Sequence, residues 1–151
     1  MASIKQGDCL ELMKEIPDKS IDMILCDLPY GTTACKWDTV IPFEPLWGGY
    51  LRVIKDNGAI VLFGSEPFST ELRHSNLEMY KYDWNWDKKK SSSALNCNYQ
   101  PLKIHEIISV FGKMATTYSK NGNMKYNQQG IIPCEKVNKR NSNKADIFHS
   151  N

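Results

Sequence analysis

The chain has 151 residues, 41% of them hydrophobic, enough to bury a core as one globular domain without disulfides or a structural metal. Its net charge of +2 is unevenly spread: residues 1–111 carry 12 Lys and Arg against 15 Asp and Glu, whereas residues 112–151 carry 7 against 2. Five cysteines with no Cys-x-x-Cys pair and three well-separated histidines point to reduced thiols in a cytoplasmic protein and away from a zinc site, and no apolar run reaches membrane-spanning length.

Ile4 to Gly7 reads as a short strand, after which Asp8 can cap a helix with Cys9, Leu12, Met13 and Ile16 on one face, closed by Pro17. The run "SIDMILCD" has the nearly continuous apolar pattern of a parallel strand covered on both faces, and it stops at Asp27. Phe43 to Asp56 places Leu46, Tyr50, Val53 and Ile54 on one helical face. Gly48 and Gly49 weaken that helix, and Asn57-Gly58 offers a left-handed stop. A second buried-type strand, "AIVLFG", precedes Ser65 and Pro67, which suit the start of a helix running to about Met79.

In "YKYDWNWDK" the aromatics Tyr80, Tyr82, Trp84 and Trp86 alternate with polar residues, the pattern of a strand whose aromatic face is core. A loop, "KKKSSSALNCNYQP", leads to a last strand, "HEIISVFGK". The series predicts an α/β fold with an open, mostly parallel twisted sheet and an antiparallel hairpin at its end. Residues 1–112 carry this pattern. Residues 113–151 read as a basic, loop-rich polar C-terminal tail, without helical or strand period and suited either to phosphate contact or to plain solvation.

The stretch "ILCDLPYGTT" puts a carboxylate, a proline and an aromatic ring at the carboxyl end of a buried-type strand, where open α/β sheets place their ligands. Together with the "WD" that follows it, and with "GDCLELMKEIPDKS", "GAIVLFGSEPFSTEL", "YDWNWDK" and "PLKIHEIISVF", it resembles the amino-methylating DNA methyltransferases that modify adenine N6 or cytosine N4. The matching blocks run from about Ile4 to Lys113. The family signature is Asp/Asn/Ser-Pro-Pro-aromatic, and Leu28 stands where its first proline would be.

The resemblance implies a sheet of the S-adenosylmethionine-dependent methyltransferase type and a catalytic role for Asp27, Pro29 and Tyr30. The Asp27 carboxylate and the Pro29 carbonyl would accept the two amine hydrogens of a target base, whose lone pair is otherwise delocalised into its ring, and Tyr30 would stack on that base once it is flipped from the duplex. It also implies S-adenosylmethionine as cofactor, with Asp8 near its adenine although the same residue suits a helix cap. Double-stranded DNA is the implied partner, with Lys88, Lys89, Lys90 and Ser91 as a phosphate-binding loop. His105-Glu106 would help to wall the base pocket without being catalytic.

In the family that the chain resembles, cytosine-N4 enzymes more often carry serine at the position of Asp27 and adenine enzymes Asp or Asn, so the resemblance implies adenine N6 as acceptor. Methylation at cytosine C5 would use a cysteine nucleophile, and the one Pro-Cys pair, Pro133-Cys134, lies in the polar tail. The family also holds the methionine part of the cofactor with a glycine-rich loop, and no Gly-x-Gly occurs here. The order of blocks is that of the permuted members, in which the cofactor-binding blocks come later. The expectation is therefore the catalytic half of a permuted enzyme, completed by a second chain or by self-association, or else an inert remnant that binds DNA weakly.

Overall fold

The structure is a computed structural model and describes residues 2–91 and 94–129. Helix α1 (Cys9–Met13) leads into strand β1 (Ile21–Asp27), followed by α2 (Phe43–Val53), β2 (Ile54–Gly64), α3 (Phe68–His74), β3 (Tyr80–Asp87) and β4 (His105–Phe111), with one 3-10 turn at Ala94–Asn96. The sheet order is β1-β2-β4-β3. β1 and β2 pair in parallel, and β4 is antiparallel to both β2 and β3. Three strands therefore run one way, as the sequence suggests. The fourth lies between two of them, so the sheet is mixed and two of its three pairings are antiparallel.

Asp8 caps α1 through its side chain, which accepts from the Leu10 amide at 2.8 Å. Arg52 on α2 satisfies carbonyls at the other end, donating to Met13 O at 2.6 Å and Ile16 O at 2.8 Å, so the two helices are locked by charge-assisted bonds. α2 buries Leu46, Trp47, Tyr50 and Val53, and side chains of this size contribute about 1.5–3 kcal/mol each on burial. Gly49 is tolerated in the helix because Met13 packs where its side chain would stand.

The core lies on the helical side of the sheet, where Ile54, Ile60, Leu62 and Phe111 meet Leu46, Trp47, Tyr50, Phe68 and Leu72. The other face has a smaller cluster, Val61, Val110 and Met124, in which Met124 comes from the segment that follows β4. Among the described residues no helix is long and apolar enough to cross a membrane.

Four expectations need correction. Residues 2–7 form no strand: an extended run becomes one only with a ladder partner, and the outer edge of β1 pairs with nothing among the described residues. β1 is covered on one face only, with Met23 and Leu25 56% and 58% exposed on the other. Asn57-Gly58 does not stop α2, since β2 starts directly at Ile54. It makes a detour inside the strand, between the pairings Ile21 with Ile54 and Met23 with Ala59, and a Cβ on Gly58 would lie 2.8 Å from the Asp22 carbonyl. Trp84 and Trp86 are not core, being 49% and 48% exposed, because they share the sheet face away from the helices. Of the tail, residues 130–151, including Pro133-Cys134, lie outside the described residues.

Candidate active site

β1 delivers Asp27 to the carboxyl end of the sheet, paired with Phe63 of β2. The next residue, Leu28, is 5% exposed and packs in the main core, which accounts for a leucine at this position: it anchors the turn by burial. Pro29 and Tyr30 follow at half-buried positions, and the Asp27 side of the turn is exposed. The Tyr30 hydroxyl donates to Asp27 Oδ1 at 2.7 Å, and its ring stacks on Phe68 of α3 with centroids 5.1 Å apart. Burial, and then the bond to Asp27, raise the Tyr30 phenol well above its ordinary range, so it remains a donor at neutral pH. One carboxylate oxygen of Asp27 is thereby oriented.

Behind this turn stands Asp38, a buried carboxylate that accepts the amides of Gly31 at 2.9 Å, Thr32 at 2.9 Å and Thr33 at 2.7 Å. Together with the Thr33 side chain, these donors hold its carboxyl at about 2. The turn itself needs glycine, because Gly31 has φ +69° and a Cβ there would meet Val40 at 2.9 Å. Asp38 belongs to the "WD" pair read in the sequence, but its role emerges only from the fold. So does that of Phe68.

Asp8 and Pro29 line one cavity of about 420 Å³ together with Trp37, Val40 and Ile41. The fold thus brings the residue expected near the cofactor to the same opening as Pro29. Glu106, at the start of β4, lies at the same end of the sheet as Asp27, since Phe63 pairs with both Asp27 and Ile108. Its carboxylate is paired with Lys88. Lys89 pairs with Asp87 at 2.9 Å, Lys90 is exposed, and Ser91 follows at a half-buried position. The basic loop therefore sits at the same end of the sheet as Asp27, with two of its three lysines held by carboxylates.

No protein-family model matches the sequence. Among curated proteins, the chain is 28% identical over 83 residues to the type II methyltransferase M.BamHI of Bacillus amyloliquefaciens, covering 48% of this chain and 19% of the relative. It is 25% identical over 123 residues to the type II methyltransferase M2.MboI of Moraxella bovis, covering 64% of this chain and 45% of the relative. Among solved structures, the cytosine-N4-specific PvuII DNA methyltransferase matches with TM-score 0.56 and 13% identity over 72% of this chain and 48% of its own. M1.HpyAVI, solved as a complex with S-adenosylmethionine, matches with TM-score 0.56 and 20% identity over 83% of this chain and 62% of its own. The chain thus spans less than two thirds of the length of each of these proteins; over that part it is similar in sequence to type II DNA methyltransferases and shares the fold of the PvuII enzyme and of M1.HpyAVI.

Proposed function

We propose that the chain forms the base-holding part of a DNA methyltransferase acting on an exocyclic amine, with adenine N6 the preferred acceptor. The observation that carries this reading is the Asp27 carboxylate, oriented by Tyr30 at the end of β1 and adjoining a cavity shared by Asp8 and Pro29. Asp27 and the Pro29 carbonyl accept the amine hydrogens, drawing the nitrogen lone pair out of conjugation. Tyr30 stacks the flipped base on the face away from Phe68.

S-adenosylmethionine, when bound, supplies an electrophilic methyl group. The residues present fit its adenosine part: Asp8 offers the carboxylate oxygen not used in capping Leu10, and the Trp37 ring lines the same cavity. Lys88, Lys89, Lys90 and Ser91 form the phosphate-contacting loop on double-stranded DNA, where phosphate oxygens would compete with Glu106 and Asp87 for the first two lysines. A second copy or a second polypeptide completes the site on the outer edge of β1, which pairs with no strand among the described residues.

Tritiated methyl transfer to duplex DNA, by the chain with its completing partner, tests the reading. Asp27→Ala is expected to reduce incorporation to background while leaving the thermal melt unchanged, and full activity in that variant overturns the assignment. Nucleoside mass spectrometry then distinguishes N6-methyladenine from N4-methylcytosine. Titration calorimetry of S-adenosylmethionine, with and without DNA, separates a working site from an inert DNA-binding remnant, which gives no heat.

A further inference from the structure

The sheet face opposite the helices carries a groove of about 550 Å³, formed where the segment after β4 folds back across β2 and β3. Trp84, Tyr82, Tyr118 and Tyr126 line it, with Met124 and Lys125. Its size is in the range of ligand pockets, and four of its nine lining residues are aromatic. Met124 fixes the segment by burial against Val61 and Val110, and the Lys125 amide bonds the Asn57 carbonyl at 3.0 Å. The rings are therefore carried on an anchored scaffold.

Two features identify the occupant. Tyr82 and Trp84 lie tilted with centroids 5.7 Å apart, while Trp84, Tyr118 and Tyr126 are exposed, so planar surfaces face solvent. The segment 112–129 contains Lys113, Lys120 and Lys125 and no acidic residue. Lys113 is engaged with the Leu51 carbonyl at 2.9 Å, and Lys120 and Lys125 are exposed. The Asp22 carboxylate, which feels the Lys125 charge, is already paired with Lys55 at 2.8 Å. Exposed rings interleaved with cations make a stacking platform flanked by phosphate contacts, the chemistry that holds an unpaired nucleic-acid strand.

We propose that this groove binds single-stranded nucleic acid, its bases stacking on Trp84, Tyr118 and Tyr126 and its phosphates contacting Lys120 and Lys125. It is a second contact, separate from the base clamp and independent of methyl transfer.

Fluorescence anisotropy with labelled oligothymidylate, oligouridylate and a blunt DNA duplex tests this, using the full chain and the double variant Tyr118→Ala, Tyr126→Ala. Both rings are exposed and carry no core packing, so the fold should persist, as circular dichroism can verify. The expected result is salt-sensitive binding of one or both single strands, weakened about fivefold or more by the double variant. Heparin, a polyanion without bases, should bind variant and parent alike. Asp27→Ala should leave strand binding unchanged, which separates failure here from failure of the methyltransferase reading. The proposal is overturned if no single strand binds, if the double variant binds strands as well as the parent, or if heparin affinity falls in parallel. It is equally overturned if the variant alters only the sedimentation of the protein, which would make the groove a protein-docking face.

Discussion

Asp38 shows how much one carboxylate can organise. Its carboxyl, held at about 2 by the Thr33 side chain and the Gly31, Thr33 and Thr32 amides, lies below the ordinary aspartate range. A folded-state pKa below the unfolded one stabilises the fold above the unfolded value, and that contribution disappears as pH falls through the folded value. Asp38→Asn should therefore lower the melting temperature most at pH 5 and above, and the gap between variant and parent should close between about pH 4 and pH 2. Thermal melts across that range check it; a gap that does not depend on pH would contradict the assignment. Tyr30 offers a complementary separation of roles. Tyr30→Phe keeps the ring on Phe68 but deletes the bond to Asp27, so flipping, read by 2-aminopurine fluorescence at the target base, should survive while methyl transfer slows. Tyr30→Ala should lose the flipping signal as well.

At the scale of elements, burial explains both what the sequence shows and what it hides. The apolar runs at Ile21–Asp27 and Ala59–Gly64 are legible because core-facing side chains must be apolar wherever the strands lie. The order of the strands leaves no such local trace: β4 lies between β2 and β3, and period-2 alternation says which residues share a face but not which strand is neighbour. The aromatic alternation of β3 was a true strand signal, while the side on which Trp84 and Trp86 fall depends on what covers that face. Asp27, Pro29 and Tyr30 could be read from their place after an apolar run, whereas Asp38 and Phe68 act through contacts made by folding. Leu28 links this level to stability. Leu28→Pro, which would bring the turn closer to the two-proline signature, should destabilise the chain by about 2 kcal/mol in a urea titration, because it withdraws a buried side chain from the core. Ser69 on α3 points the other way. Its hydroxyl is fully buried and has no hydrogen-bond partner among the described residues, so Ser69→Ala should raise stability by about 1 kcal/mol in the same assay.

For the whole molecule, the governing contrast is between the two faces of one sheet. The helical side is closed by Leu46, Trp47, Phe68 and Leu72, whereas on the other side β1 leaves Met23 and Leu25 exposed beside its outer edge, which pairs with no strand among the described residues. Hydrophobic side chains beside an open ladder edge favour association, since a second chain can extend the hydrogen bonding and bury the apolar surface together. Analytical ultracentrifugation at micromolar concentration should accordingly find dimers or larger species, or a monomer that becomes a complex when a completing polypeptide is added. Leu25→Lys should shift the distribution toward monomer without lowering the melting temperature much, because this side chain is exposed in the single chain and lies on the face away from the main core. Double substitution at Tyr118 and Tyr126 should leave that distribution unchanged, because their groove lies over β2 and β3 rather than on the β1 edge. A parent chain that stays monomeric and also binds S-adenosylmethionine would show that the cofactor site closes within one chain, and association would then have no part in completing it.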